Sequence, residues 1–103
     1  MNGKPIIRRV LADEDIEKAI DHYAAESVDA ADRFIDALKS QFALIGKSPR
    51  IGSPRYSHEL NIPGLRFQKT GRFPYLIFYM EQDDYIDVWR VLPEQSDIPK
   101  RLD

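Results

Sequence analysis

The sequence predicts an α+β fold in which an antiparallel helix hairpin packs on a small, mainly antiparallel sheet, in the order β-α-α-β-β-β. Three observations carry this expectation. Apolar residues recur at helical spacing in two consecutive stretches before Gly46, and three strand-like runs crowd the region from Leu65 to Leu92. One of those runs, YLIFYM, is almost wholly apolar, as expected of a central strand covered on both faces. At 103 residues the chain fits one domain over residues 1–103, large enough for a core but too small for a separate cofactor domain.

The elements follow in order. Residues 5–11 alternate apolar and basic side chains and read as a short strand, with Pro5 suited to an edge. Residues 12–27 switch to helical spacing: Ile16, Ala19, Ile20 and Tyr23 form one stripe, and Asp13, Glu14 and Asp15 sit at the positive end of the helix dipole. A second helix is expected from Asp29, with Ala31, Ile35, Leu38, Phe42 and Ile45 as its seam, Gly46 as C-cap and Pro49 as stop. Residues 48–64, rich in proline and glycine, read as a long ordered loop. Strands are then expected over 65–69, 75–81 and 85–92, with turns at Thr70 and Gly71 and at Asp83 and Asp84.

Composition narrows the function classes. With no cysteine and only His22 and His58, neither a disulfide framework nor a thiolate or histidine-rich metal site is expected, and no cofactor motif occurs. The N-terminal MNGKPIIRR lacks the apolar core of a secretory signal and no run is long enough to span a bilayer, so the cytoplasm is the expected address and no membrane partner is expected. The net charge of −2 argues against a general nucleic-acid coat. Its distribution is more telling: nine acids against Lys18 and Arg33 give −7 over residues 12–36, whereas six bases against Glu59 give +5 over residues 47–72. An acidic face opposite a basic one, open to an acidic partner, is the expectation.

Candidate chemistry is sparse. His58, with Tyr56 and Glu59, is the nearest thing to an acid/base group, and the plainer reading is an exposed loop histidine; His22 reads as a helix surface residue. Arg66, Arg72 and Arg90 lie on or beside neighbouring strands, where they either converge on an anion or remain separate strand-end charges. Trp89 and Tyr79 read as core aromatics rather than base-stacking platforms.

Several stretches, DIEKAIDHYAAES, AADRFIDALKSQFALIGKSPRIGSPR, GLR, YLIFY, RVL and DIP, together resemble the RelE/ParE toxin superfamily, specifically its ParE branch, the plasmid stabilisation toxins of type II toxin–antitoxin pairs. The resemblance spans nearly the whole chain and implies the same β-α-α-β-β-β fold. It implies a toxin that inhibits DNA gyrase by binding and is neutralised by a ParD-like ribbon-helix-helix antitoxin, with operator DNA contacted only through that antitoxin. Relatives of the RelE type instead cleave messenger RNA on the ribosome, using basic residues with a histidine or tyrosine near the last strand; here that neighbourhood reads Pro93, Glu94, Gln95, Ser96. ParE-like sequences commonly follow RVL with a histidine and, three residues later, an arginine, positions held here by Pro93 and Ser96. The resemblance therefore leaves three readings: a gyrase-binding toxin, a ribonuclease, or a degenerate toxin that only binds antitoxin. Under the first, Arg90, Ser96, Asp97, Ile98, Pro99, Lys100 and Arg101, in a tail running to Asp103, are the expected target contacts, and the tail after Leu92 is expected to be removable without loss of fold. Arg55, Arg66, Lys69 and Arg72 are the expected antitoxin contacts. No catalytic residue, metal or cofactor is expected.

Overall fold

The computed structural model describes residues 3–102, so Asp103 of the expected tail lies outside the described residues. Strand β1 (Ile6–Arg8) leads directly into helix α1 (Val10–Ala24), which a short break joins to helix α2 (Val28–Lys47). After a 3₁₀ turn (Pro49–Ile51) and a short helix α3 (Arg55–Glu59) come strands β2 (Leu65–Thr70), β3 (Phe73–Glu81) and β4 (Ile86–Pro93), then a terminal turn of helix α4 (Ile98–Arg101). The sheet order is β1-β4-β3-β2. β2, β3 and β4 pair antiparallel whereas β1 lies parallel to β4, so the sheet is mixed.

Local sequence accounts for the boundaries. The first helix begins two residues before the expected Ala12, because one helical turn already places Ala12 against the sheet, where it is wholly buried. Ser27 ends the break by accepting a 2.9 Å hydrogen bond from the Ala30 N–H, the usual role of serine at a helix N-cap. Gly46 is no C-cap. It lies inside α2, where its carbonyl accepts the Lys4 N–H at 2.9 Å, and a Cβ there would stand 2.8 Å from the Lys4 carbonyl oxygen. Close backbone approach, not helix termination, explains that glycine. Gly71 is the turn glycine: its φ of 56° lets residues 71 and 72 connect Thr70 to Phe73 in a tight hairpin. The stretch read as loop holds the 3₁₀ turn and α3, structure too short to leave a periodic signal.

Alternation along β3 supplies two cores. Ile77 and Tyr79 face the helices, meeting Phe34, Leu38, Phe42 and Ile45 of α2 and Ala19 and Tyr23 of α1. Leu76 and Phe78 face the other way, into a smaller cluster with Leu65, Leu92 and Ile98, partly covered by Tyr56, Ile62 and Leu102. The strand expected to be covered on both faces is covered on both, and it shares the centre of the sheet with β4. Phe34, absent from the expected seam, is fully buried, 5.2 Å from the Tyr23 ring and 5.4 Å from that of Phe73; burial of such a ring contributes about 1.5–3 kcal/mol. Ile35, expected in the seam, is half-buried at its margin.

Candidate functional site

The last strand and the tail form one unit with α1. Asp15 lies on the buried stripe of α1, with Ala12, Ala19 and Tyr23, and is itself 5 % exposed. Arg90 reaches it with both arms of its guanidinium, Nε to Oδ2 at 2.7 Å and Nη2 to Oδ1 at 2.8 Å, and the Val91 N–H donates to Oδ2 at 3.0 Å. The remaining Arg90 nitrogen, Nη1, donates to the Arg101 carbonyl at 2.9 Å. The hydrogen bonds that Arg90 donates to Asp15 hold the Arg90 pKa above the ordinary arginine value, partly offset by burial. A bulge makes this reach available: Phe78 faces Arg90 and Tyr79 faces Val88, leaving Trp89 as the extra residue that turns β4. Arg90 thus ties α1, β4 and α4 together, and only 15 % of its side chain remains for a target.

Beside this knot lies a second one. Arg9 forks onto Asp87 at 2.8 and 3.0 Å and covers the Trp89 ring at 4.5 Å, while the Trp89 indole N–H donates to Asp87 Oδ2 at 3.2 Å. With Val10, Leu11, Arg90, Arg101 and Leu102, Arg9 and Trp89 line a shallow cleft of about 460 Å³. Trp89 is half-buried there and Tyr79 fully buried, so neither is a free stacking surface. Instead, the Tyr79 hydroxyl donates to the Pro49 carbonyl at 2.7 Å and accepts the Gly52 N–H at 2.9 Å, and burial raises its pKa.

The expected target contacts divide. Ile98 is 2 % exposed within the back core, Ser96 donates to the Pro93 carbonyl, and Asp97 caps α4 by accepting the Lys100 N–H. Pro99, Lys100 and Arg101 face outward. The tail is therefore part of the fold, and its removal after Leu92 would uncover the back core. That corrects the expectation that it is separable.

The basic residues do not converge. Arg66 holds the Gly52 carbonyl at 2.7 Å and the Arg50 carbonyl at 3.3 Å, fixing the loop over β2. Arg72 is exposed at the β2–β3 turn, and Arg90 is on the far side of β3. An anion pocket shared by Arg66, Arg72 and Arg90 does not form. Arg55 pairs with Glu59 at 3.1 Å and lies 5.0 Å over Tyr56, and Lys69 stands 3.8 Å from Glu94. Arg55, Lys69 and Arg72 are exposed around β2 and α3, a dispersed basic rim rather than a point site. His58 is exposed on α3, and its ring has no hydrogen-bond partner among the described residues. Sequence reasoning missed the structural roles of Asp15, Asp87 and Arg9. Asp15 did leave a signal, an acid at the three- and four-residue spacing of a buried stripe.

Two helices pack on one face of a four-stranded mixed sheet, with exposed cations around β2 and on α4. A family model for the ParE toxin of the type II toxin–antitoxin system, parDE, matches residues 6–98, and the chain belongs to that family. Its fold is similar to that of a solved chain described as "Chromosomal ParDE TA system from P. aeruginosa", with a TM-score of 0.73 over 87 % of this chain and 95 % of that one, at 17 % identity. No curated protein matches the sequence significantly. Among the described residues no helix is long and apolar enough to cross a membrane.

Proposed function

We propose that this chain is a toxin that acts by binding rather than by catalysis, with DNA gyrase as its target and a ParD-like antitoxin as its neutralising partner. Membership of the ParE toxin family over residues 6–98 is the observation that carries the reading. The end of β4 supports the non-catalytic part: Pro93, Glu94 and Gln95 are exposed there, and the one acid, Glu94, has only the loose contact with Lys69. Proton transfer needs a base within hydrogen-bond reach of its substrate and oriented by a partner. Of the residues a ribonuclease reading would use, His58, Arg66, Arg72 or Arg90, the first and third are exposed, while Arg66 is occupied by backbone carbonyls and Arg90 by Asp15.

The outward cations Lys100 and Arg101 are the target contacts this reading favours. A Lys100→Ala, Arg101→Ala double variant keeps the buried side of α4, since Arg90 holds the carbonyl of Arg101 and not its side chain. Induced in cells, it is expected to lose growth arrest while its melting temperature and antitoxin binding stay unchanged. Undiminished arrest would remove the tail from the target surface, and cleaved transcripts in arrested cells would move the chain to the ribonuclease class.

A further inference from the structure

Arg8 and Arg9 part at the end of β1. Arg8 borders the helix hairpin, beside Ile16, Ile20 and Phe42, whereas Arg9 reaches the opposite face of the sheet and forks onto Asp87. There, away from the groove between α1 and α2, the first turn of α1 leaves Val10 76 % and Leu11 53 % exposed. Trp89 and Leu102, both half-buried, complete the apolar part of the same cleft of about 460 Å³. Exposed apolar side chains scattered singly carry no meaning, but here they adjoin one another, a tryptophan and a concave surface.

The charges of the cleft are one-sided. Its lining holds Arg9, Arg90 and Arg101 and no acid. Asp87 and Asp15, which hold the first two, are buried, and their oxygens are already taken by Arg9, Trp89, Arg90 and the Val91 N–H. Arg9 spends Nε and Nη2 on Asp87, and among the described residues its Nη1 has no hydrogen-bond partner and Arg101 no ion-pair partner. Glu14 is close enough to help keep Arg90 charged, so an incoming anion falls to Arg9 and Arg101. Arg9 is also held in advance. Its fork on Asp87 and its position 4.5 Å over the Trp89 ring leave little rotamer freedom to lose on binding. Arginine and tryptophan fixed beside an apolar cleft are the residue types that carry most of the energy of protein interfaces.

We propose that this cleft is part of the toxin's target surface and takes an acidic segment of the target protein, an apolar anchor seating between Val10, Leu11 and Leu102 and a carboxylate meeting Arg9 and Arg101. This inference rests on the binding-toxin reading above and adds to the tail a contact from the start of α1. A second copy of the chain is the poorer occupant, because pairing two such clefts sets the three guanidinium groups of one against those of the other. A nucleic-acid strand fits poorly too, since Arg9 already covers the Trp89 face on which a base would stack.

Acidic side chains are favoured in the first turn of a helix, so a Val10→Glu, Leu11→Glu double variant is expected to keep its melting temperature while presenting two carboxylates to the cleft. Induced in cells at matched protein level, it is expected to lose growth arrest, and its affinity for purified gyrase, by calorimetry, is expected to fall at least about tenfold. Val28→Glu is the matched control. Val28 is 77 % exposed and opens α2 at the other end of the hairpin, so this variant is expected to arrest growth as the parent does. Leu11→Lys removes the same apolar contact as Leu11→Glu but adds a cation, and is expected to bind at least about threefold tighter than Leu11→Glu. Undiminished arrest by the double variant overturns the inference, and equal affinities of the two Leu11 variants overturn the acidic character of the partner. Arrest that the double variant loses, from a parent that does not bind gyrase, upholds the cleft and removes gyrase as target. A parent that arrests nothing overturns both readings. Should the double variant melt below the parent, Val10→Glu alone decides by the same arrest readout.

Discussion

Asp15 shows how one buried carboxylate decides where an arginine is held. Its carboxylate accepts three hydrogen bonds from Arg90 and Val91, so a substitution there strands a guanidinium and a backbone N–H together. Asp15→Asn is expected to cost about 2–4 kcal/mol, less than a fully buried pair because Arg90 keeps some contact with water. For a domain of this size that is a fall in melting temperature of roughly 10 °C or more. The exposed pair Arg8–Asp13, at 2.6 Å with both side chains about half exposed, makes the contrast: Asp13→Asn is expected to cost under about 1 kcal/mol. Thermal melts of the two variants side by side check both values, and equal shifts would contradict the structural role given to Asp15. At this scale the sequence was least legible. Arginines and carboxylates announce charge, not partner, and the pairs Arg90–Asp15 and Arg9–Asp87 join residues more than seventy positions apart.

At the scale of elements, legibility followed periodicity. The stripes of α1 and α2 and the alternation of β3 were readable because burial on one side writes a period into the sequence, whereas α3 and α4, of five and four residues, are too short to do so. The parallel pairing of β1 left no signal at all, since nothing local to IIR distinguishes a parallel neighbour from an antiparallel one. Gly46 was misread because a glycine near a helix end carries the same letter whether it ends the helix or admits another backbone. Gly46→Ala is accordingly expected to destabilise by about 1–3 kcal/mol through its clash with Lys4, even though alanine is the better helix former by about 1 kcal/mol; a melt that rises would contradict the close approach. For α4, Ile98→Ala is expected to cost about 2–4 kcal/mol by opening the back core, measured by urea unfolding, whereas a separable tail would show almost no change.

Over the whole molecule, the acidic helix hairpin covers one face and the basic residues collect around β2 and α3, as the charge distribution suggested. Tyrosines packed between α1 and the sheet set an alkaline limit on stability. Tyr23, Tyr75 and Tyr79 all have pKa values raised above 10.0, in each case chiefly by burial, so the folded state holds these phenols protonated where the unfolded chain would lose the protons. Their contribution is complete below the unfolded value and is lost as pH rises through the folded values. Melting temperature is expected to fall from about pH 10 upward, with tyrosinate absorbance rising in the same step as unfolding. Tyrosinate formation complete well before any loss of structure would contradict the burial of these rings.

The function proposed for the whole molecule, inhibition by binding, is tested most directly by a gyrase supercoiling assay with the purified, antitoxin-free chain, reading lost supercoiling and trapped linear DNA on one gel. Loss of supercoiling with linear product, reversed by adding the antitoxin, is the expected result. Full supercoiling activity in the presence of a folded chain that still binds its antitoxin would contradict the assignment of gyrase as target.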